Sequence, residues 1–183
     1  MKNTNEKGFT LIELLAVIVI LAILMITAIP AVTNSIAKSR KDTFATNAKN
    51  VINAVRTSMA SGDVKNGSEE CSYPADGSAV KITITSDALK GLLERGGDKS
   101  SFGRAYNDSY VIIYNKGGDK FDYYIAITDK GSNGVDTFTK ESALTGSNIK
   151  LGNAQNITGT FKPEGSETVS YTHLRAHETR HDL

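Results

Sequence analysis

FTLIELLAVIVILAILMITAIPAV, running from Phe9 to Val32, is the stretch on which the reading of the whole chain turns. It contains about 24 residues, and a helix of that length reaches roughly 36 Å, against a bilayer hydrocarbon core of about 30 Å. A secretory signal would carry a shorter apolar region, about 7–15 residues, closed by a small-residue cleavage site. No such site ends this run. The residues ahead of it, MKNTNEKG, are polar and carry Lys2 and Lys7 against Glu6. Lysines preceding a span place the N-terminus in the cytoplasm and the bulk of the chain outside.

Working outward, the remainder is hydrophilic. The chain has 183 residues and 39% hydrophobic content, and its mean hydropathy is −0.24 despite the apolar block. That divides it into one membrane-competent segment and one soluble domain. The formal net charge of +1 argues against a nucleic-acid partner held by a large electrostatic excess, and no nucleic acid is expected. A single cysteine, Cys71, excludes an intrachain disulfide and any multi-cysteine metal cluster.

Two residues interrupt the apolar block. Glu13 places a carboxylate at bilayer depth, which is costly and ordinarily calls for a partner. The next basic residue downstream is Lys38. A partner therefore comes from a chain terminus or another subunit, unless Glu13 lies close enough to the cytoplasmic face to reach headgroups. Pro30 removes a backbone donor and clashes with the preceding turn, so a kink or local melting is expected there.

Lys7-Gly8-Phe9-Thr10-Leu11-Ile12-Glu13-Leu14 resembles the processing site of type IV prepilins. The likeness is close from Lys7 to Ser61 and holds in outline beyond. It implies that a prepilin peptidase cuts after Gly8 and methylates the new N-terminal Phe9. It implies that Glu13 neutralises the N-terminus of an adjacent subunit, so that a buried charge finds its partner only in register. It also implies that the stretch ahead of Pro30, about 22–30, loses helical order on assembly. The partners it brings are the peptidase, further pilin subunits, the lipid bilayer, and the membrane platform and ATPase of an assembly machine. The localisation implied is a single-pass membrane protein with its head outside, then an extracellular fibre.

Beyond Pro30, Phe44, Ala48, Val51, Ile52, Val55 and Met59 recur at helical spacing. They predict an amphipathic helix that ends near Ser61-Gly62 and covers a sheet. Gly62–Ala79 reads as a long polar connection containing Cys71. Val80–Thr85 alternates as a strand, and a short helix capped at Ser86 or Asp87 runs through Leu93. Tyr110–Tyr114 and Phe121–Thr128 form a hairpin. Further strands are expected from Val135–Thr139, Ile149–Leu151 and Ile157–Phe161. The fold class is α+β, pilin-like: a long N-terminal helix packed on an antiparallel sheet. The expected division is a leader at 1–8, a hydrophobic transmembrane and polymerisation helix at 9–33, and an amphipathic helix at 34–61. Loop and sheet follow at 62–169, then a non-native or disordered tail at 170–183.

Several motifs suggest chemistry. His177-Glu178-Thr179-Arg180-His181 has zinc-protease spacing, yet it lies in a terminal stretch, SYTHLRAHETRHDL, that holds all 3 histidines and departs in composition from everything before it. That stretch resembles a translated sequencing-adapter tail, and no third ligand follows the motif. Gly117-Gly118-Asp119 and Gly96-Gly97-Asp98 resemble the Gly-Gly-Asp core of diguanylate cyclases but are followed by lysines, and turn chemistry accounts for both. Asp129-Lys130-Gly131-Ser132-Asn133-Gly134-Val135-Asp136 is an oxygen-rich loop. It reads as a plain loop or as a calcium site with Asp129, Asn133 and Asp136 as ligands; apart from that calcium, no cofactor is expected. The loop loosely resembles the calcium loop of major pseudopilins. Asn66-Gly67-Ser68, Asn107-Asp108-Ser109 and Asn156-Ile157-Thr158 fit the eukaryotic glycosylation pattern and are assigned no role. No nucleophilic triad or phosphate loop supports an enzyme.

The leading expectation is therefore a pilus subunit for adhesion, twitching motility or aggregation, with the lack of a cysteine pair compatible with a Gram-positive source. The alternatives are a pseudopilin of a type II secretion or DNA-uptake machine, and a membrane-anchored binding domain that never polymerises and keeps its leader.

Overall fold

In the computed structural model, residues 8–62, 65–66, 69–70, 72–85, 99–157, 161–163 and 171–175 are described. Contacts divide the chain into two units, Met1–Ser39 and Arg40–Leu183. One helix, α1 (Leu11–Ser61), contributes to both.

In the first unit, α1 is apolar on every face. Its large side chains from Leu11 to Ile36 lie exposed, Leu11 by 84% and Ile26 by 73%. A helix that is apolar all round and exposed in this way is suited to lipid or to copies of itself. It is long and apolar enough to cross a membrane. In this single subunit the helix runs unbroken through Pro30. The proline costs one ladder bond, the one Ile26 O would accept, and the turns on both sides hold. Thr27 and Thr33 bond back to the same backbone, Thr27 Oγ1 donating to Leu24 O and Thr33 Oγ1 to Ile29 O and Pro30 O, each at 3.0 Å.

In the second unit the periodicity of α1 becomes amphipathic. Phe44, Ala45, Ala48, Val51, Ile52, Val55 and Met59 are buried, which is the face the sequence spacing marks, with Ala45 added. They pack on a sheet ordered β6-β5-β4-β3-β7. Its strands are β3 (Ala79–Ile84), β4 (Ser109–Asn115), β5 (Phe121–Thr128), β6 (Gly134–Lys140) and β7 (Tyr171–Arg175). β3 through β6 pair antiparallel in sequence order. Val80, Ile82, Ile84, Val111, Ile113, Tyr123, Ile125, Ile127 and Val135 join the helix face in one core. Strand alternation sends Ala79, Ile112 and Tyr124 to the opposite face, where Phe161 covers them. Its ring stands edge-on to Tyr124 at 4.8 Å and to Tyr114 and Phe138 at 6.2 Å.

The expected antiparallel sheet is formed by β3 to β6, and β7 extends it in parallel with β3, from Ala79↔Tyr171 to Thr83↔Arg175. Part of the expected tail is thus a strand, because β3 is otherwise an open edge whose unpaired backbone groups accept another chain. Ile149–Leu151 is not a strand. It follows a 3-10 turn (Gly146–Asn148), and only Lys150 bridges to Gly134. The polar connection after α1 contains a small antiparallel hairpin of β1 (Lys65–Asn66) and β2 (Glu69–Glu70). Cys71, the helix expected near Leu93, Gly96-Gly97-Asp98 and the His177–His181 motif lie outside the described residues, as does Ile157–Phe161 except at its ends, neither of which is in a strand.

Gly134 shows why the β5–β6 connection is tight. Its φ is +136°, and a Cβ there would stand 2.2 Å from Ile127 O. No other residue type fits without moving the strand backbone.

Candidate functional site

The residues that carry the prepilin resemblance sit at the start of α1. Thr10 is the last residue before the helix and Glu13 lies in its first turn. Glu13 N donates to Thr10 Oγ1 at 3.3 Å, while Thr10 N and Thr10 Oγ1 both donate to Glu13 Oε2 at 2.8 Å. This is a capping box: hydroxyl and carboxylate reciprocally satisfy donors that a helix start leaves free. The acid also sits at the positive end of the helix dipole. A search of the sequence for cations finds no partner for Glu13 in its own segment and passes over Thr10. The signal is nevertheless there, since Thr10-Leu11-Ile12-Glu13 has the T-x-x-E spacing of a capping box.

Only Oε2 is engaged. Glu13 Oε1 accepts no hydrogen bond among the described residues, which leaves the carboxylate a free oxygen for a second donor. Phe9 is 93% exposed beside it. Gly8 precedes, and a Cβ at Gly8 would meet nothing within 4 Å. Packing in this chain therefore imposes no need for glycine at that position.

The loop read as a candidate calcium site behaves differently. Asp129 is buried and accepts from Ser100 Oγ at 2.6 Å, Gly131 N at 2.8 Å, Asn133 N at 3.0 Å and Asn133 Nδ2 at 3.1 Å. Its lone pairs tie the loop to itself. Asn133 Oδ1 accepts from Gly152 N at 3.1 Å. Asp136 faces Lys150, whose Nζ lies 2.8 Å from its Oδ1, and accepts from Gln155 N. The oxygens of Asp129 and Asp136 Oδ2 already accept hydrogen bonds, while Asp136 Oδ1, close to the Lys150 ammonium, accepts none; an ammonium beside these carboxylates disfavours a calcium ion there. No group of three His, Cys, Asp or Glu side chains comes together among the described residues.

What the acidic residues of the second unit do is hold its surface together. Burial pushes the Asp136 carboxyl up, but the Gln155 N–H and Lys150 outweigh it and hold the group below the usual carboxylate range. Burial acts the same way on Asp122, and Lys140 at 2.8 Å and Lys116 at 3.0 Å reverse it. A carboxyl depressed in the folded state binds fewer protons than in the unfolded chain. Its contribution is therefore present above the unfolded value, about 4, and disappears as pH falls through the lower folded value. Thermal melts of the soluble part should lose stability on acidification below about pH 4, and less so in Asp122→Asn with Asp136→Asn. Parallel pH profiles of the two proteins would contradict the assignment.

The family model described as the prokaryotic N-terminal methylation motif matches residues 3–29. No curated protein and no solved structure matches the chain. The chain thus carries the signature of type IV prepilins, on an α+β, pilin-like architecture. That motif implies processing by a prepilin peptidase and assembly with other pilin subunits, and it points to a structural subunit rather than an enzyme. The apolar first unit fits membrane anchoring before assembly.

Proposed function

We propose that this chain is the subunit of a type IV pilus, serving adhesion, motility or aggregation. It is inserted as a prepilin, cut after Gly8, methylated at Phe9 and polymerised through α1. The observation that carries this reading is the methylation motif set directly ahead of a helix whose large apolar side chains lie exposed. Orientation rests on the motif, because cations flank both ends of the span: Lys2 and Lys7 before it, Lys38, Arg40 and Lys41 after it. The alternative is a pseudopilin, toward which the oxygen-rich loop at Asp129–Asp136 leans slightly, while the polar connection at Gly62–Ala79 leans toward a pilus surface.

In this mechanism Thr10 holds Glu13 in the isolated subunit, and the amine of Phe9 on a neighbour supplies the charge that Thr10 lacks. Pro30, already short of one ladder bond, is where the stalk extends in the fibre.

Mass spectrometry of the protein from cells with an active peptidase should find an N-terminus at methylated Phe9, and electron microscopy should find fibres that vanish with the gene. A retained Met1–Gly8 would overturn the reading in favour of a plain anchor. Gly8→Ala should block cleavage without altering folding, since the added methyl meets nothing in the chain.

A further inference from the structure

The end of the second unit at which α1 enters carries cations from three separate segments. Ser101 Oγ donates to Arg40 O at 2.7 Å, which ties the loop at 99–105 to the first residue of the unit. Within that loop Lys99 bridges Ala105, and Ser100 N donates to Arg104 O at 2.7 Å. Lys130 N donates to Ala105 O at 2.8 Å, and the Arg104 side chain lies against Gly131. Arg40, Lys99, Arg104 and Lys130 are all exposed, and none makes a side-chain hydrogen bond or ion pair among the described residues.

That distinguishes them from Arg56, Lys116, Lys140 and Lys150, each of which is paired with a carboxylate. The acids at the same end offset the four only in part. Asp129 is buried with its oxygens bonded, Asp42 lies against Gly146, and Asp108 already has a partner. Long-range attraction between unpaired cations and anions falls off over about 10 Å at ordinary salt.

The connection along the chain between this end and the apolar run is short. From Val32, where the apolar run ends, to Arg40 is about 8 residues of α1, roughly 12 Å at helical rise. Headgroups extend a bilayer from about 30 Å to about 40–45 Å, so they occupy several ångström on each side. Arg40 is therefore tethered to the end of the apolar run by only about 8 residues of chain. We propose that this basic end docks the second unit on anionic phospholipid headgroups while the subunit waits in the membrane. The inference rests on the membrane-spanning reading of the first unit. Docking holds the soluble part against the bilayer and is released when the helix leaves lipid for the fibre.

The test uses the full chain with Cys71→Ser and Ser132→Cys, spin-labelled on the thiol introduced at position 132, close to Lys130. It is reconstituted into vesicles of phosphatidylcholine alone or of phosphatidylcholine with phosphatidylglycerol, each with a trace of nickel-chelating lipid. Collision of the label with surface nickel should be strong only with phosphatidylglycerol and should fade with added salt. Each basic residue near an anionic surface contributes about a fivefold change in occupancy, so Arg104→Gln with Lys130→Gln should lower the docked ratio roughly thirtyfold. A thermal melt like that of the parent keeps that comparison valid, as both changes are at exposed positions. Equal collision in the two lipids, or no response to the double substitution, overturns docking. Protection from a soluble polyphosphate without any effect of phosphatidylglycerol overturns it too and assigns the patch to a soluble polyanion. Carbonate extraction reads the span separately. A chain that resists extraction but shows no lipid-dependent collision refutes docking alone, and a chain that is extracted refutes both.

Discussion

Cells expressing Glu13→Leu should insert and cleave the chain normally yet shed few or no fibres. The substitution removes a carboxylate from an apolar segment, so insertion becomes easier. It also removes half of the capping box, but Thr10 Oγ1 can still accept from the backbone N–H at position 13, and the helix start survives. What is lost is the charge that meets a neighbour's amine, and a subunit arriving without it leaves that amine buried and unpaired. Glu13→Gln should fall between, since an amide oxygen keeps the Thr10 bonds and offers no charge. Thr10→Val separates the two functions. It breaks the side-chain half of the box while sparing the carboxylate, and should slow assembly much less than Glu13→Leu. Membrane fractionation and shearing of surface fibres read both halves. Normal fibre yield from Glu13→Leu would favour an anchor that never polymerises.

The second large effect lies in the core. Ile52 is fully buried on the face of α1 that meets the sheet. Ile52→Asp would place a carboxylate among Val, Ile and Tyr side chains, with the guanidinium one turn on, Arg56, already held by Glu141, a change costing on the order of 3–5 kcal/mol. In a soluble fragment beginning at Ser35 that equals much of the stability of a domain of this size. The fragment should melt far below the parent or fail to fold. An unchanged melting temperature would mean that this face of α1 does not meet the sheet. Asn50→Asp, on the exposed side two residues earlier, is the matched control and should leave the melt almost unaltered.

Much of this is readable before any coordinates. Helical periodicity from Phe44 to Met59 and alternation in Val80–Thr85, Tyr110–Tyr114 and Phe121–Thr128 are consequences of backbone geometry. They are encoded within a few residues, which is why the buried face of α1 and the four antiparallel strands appear where the pattern puts them. The processing motif is just as local, since glycine, aromatic and acid are recognised by their spacing within a few consecutive residues. Even the Thr10–Glu13 box is written in four consecutive residues. It escapes a reading that follows charge alone, because its partners are the orphan donors of the helix start.

What the sequence did not determine by itself is whatever joins segments far apart in the chain. Nothing local in Tyr171–Arg175 says that it lies parallel to β3; that depends on an open sheet edge whose existence follows from the whole strand order. Phe161 reads as an isolated aromatic until Tyr114, Tyr124 and Phe138 arrive from three strands to enclose it. Asp129 and Asp136 suit calcium on a one-dimensional view, because carboxylates at close spacing look like free ligands. Folding brings Ser100 to one and Lys150 to the other, and an ammonium beside a carboxylate competes with a metal ion for it. The basic end at Arg40, Lys99, Arg104 and Lys130 likewise comes from three segments that no periodicity connects. Composition and spacing decided the span, the stalk motif and the α+β class, and tertiary contact decided which polar groups are already partnered and which remain free to meet something else.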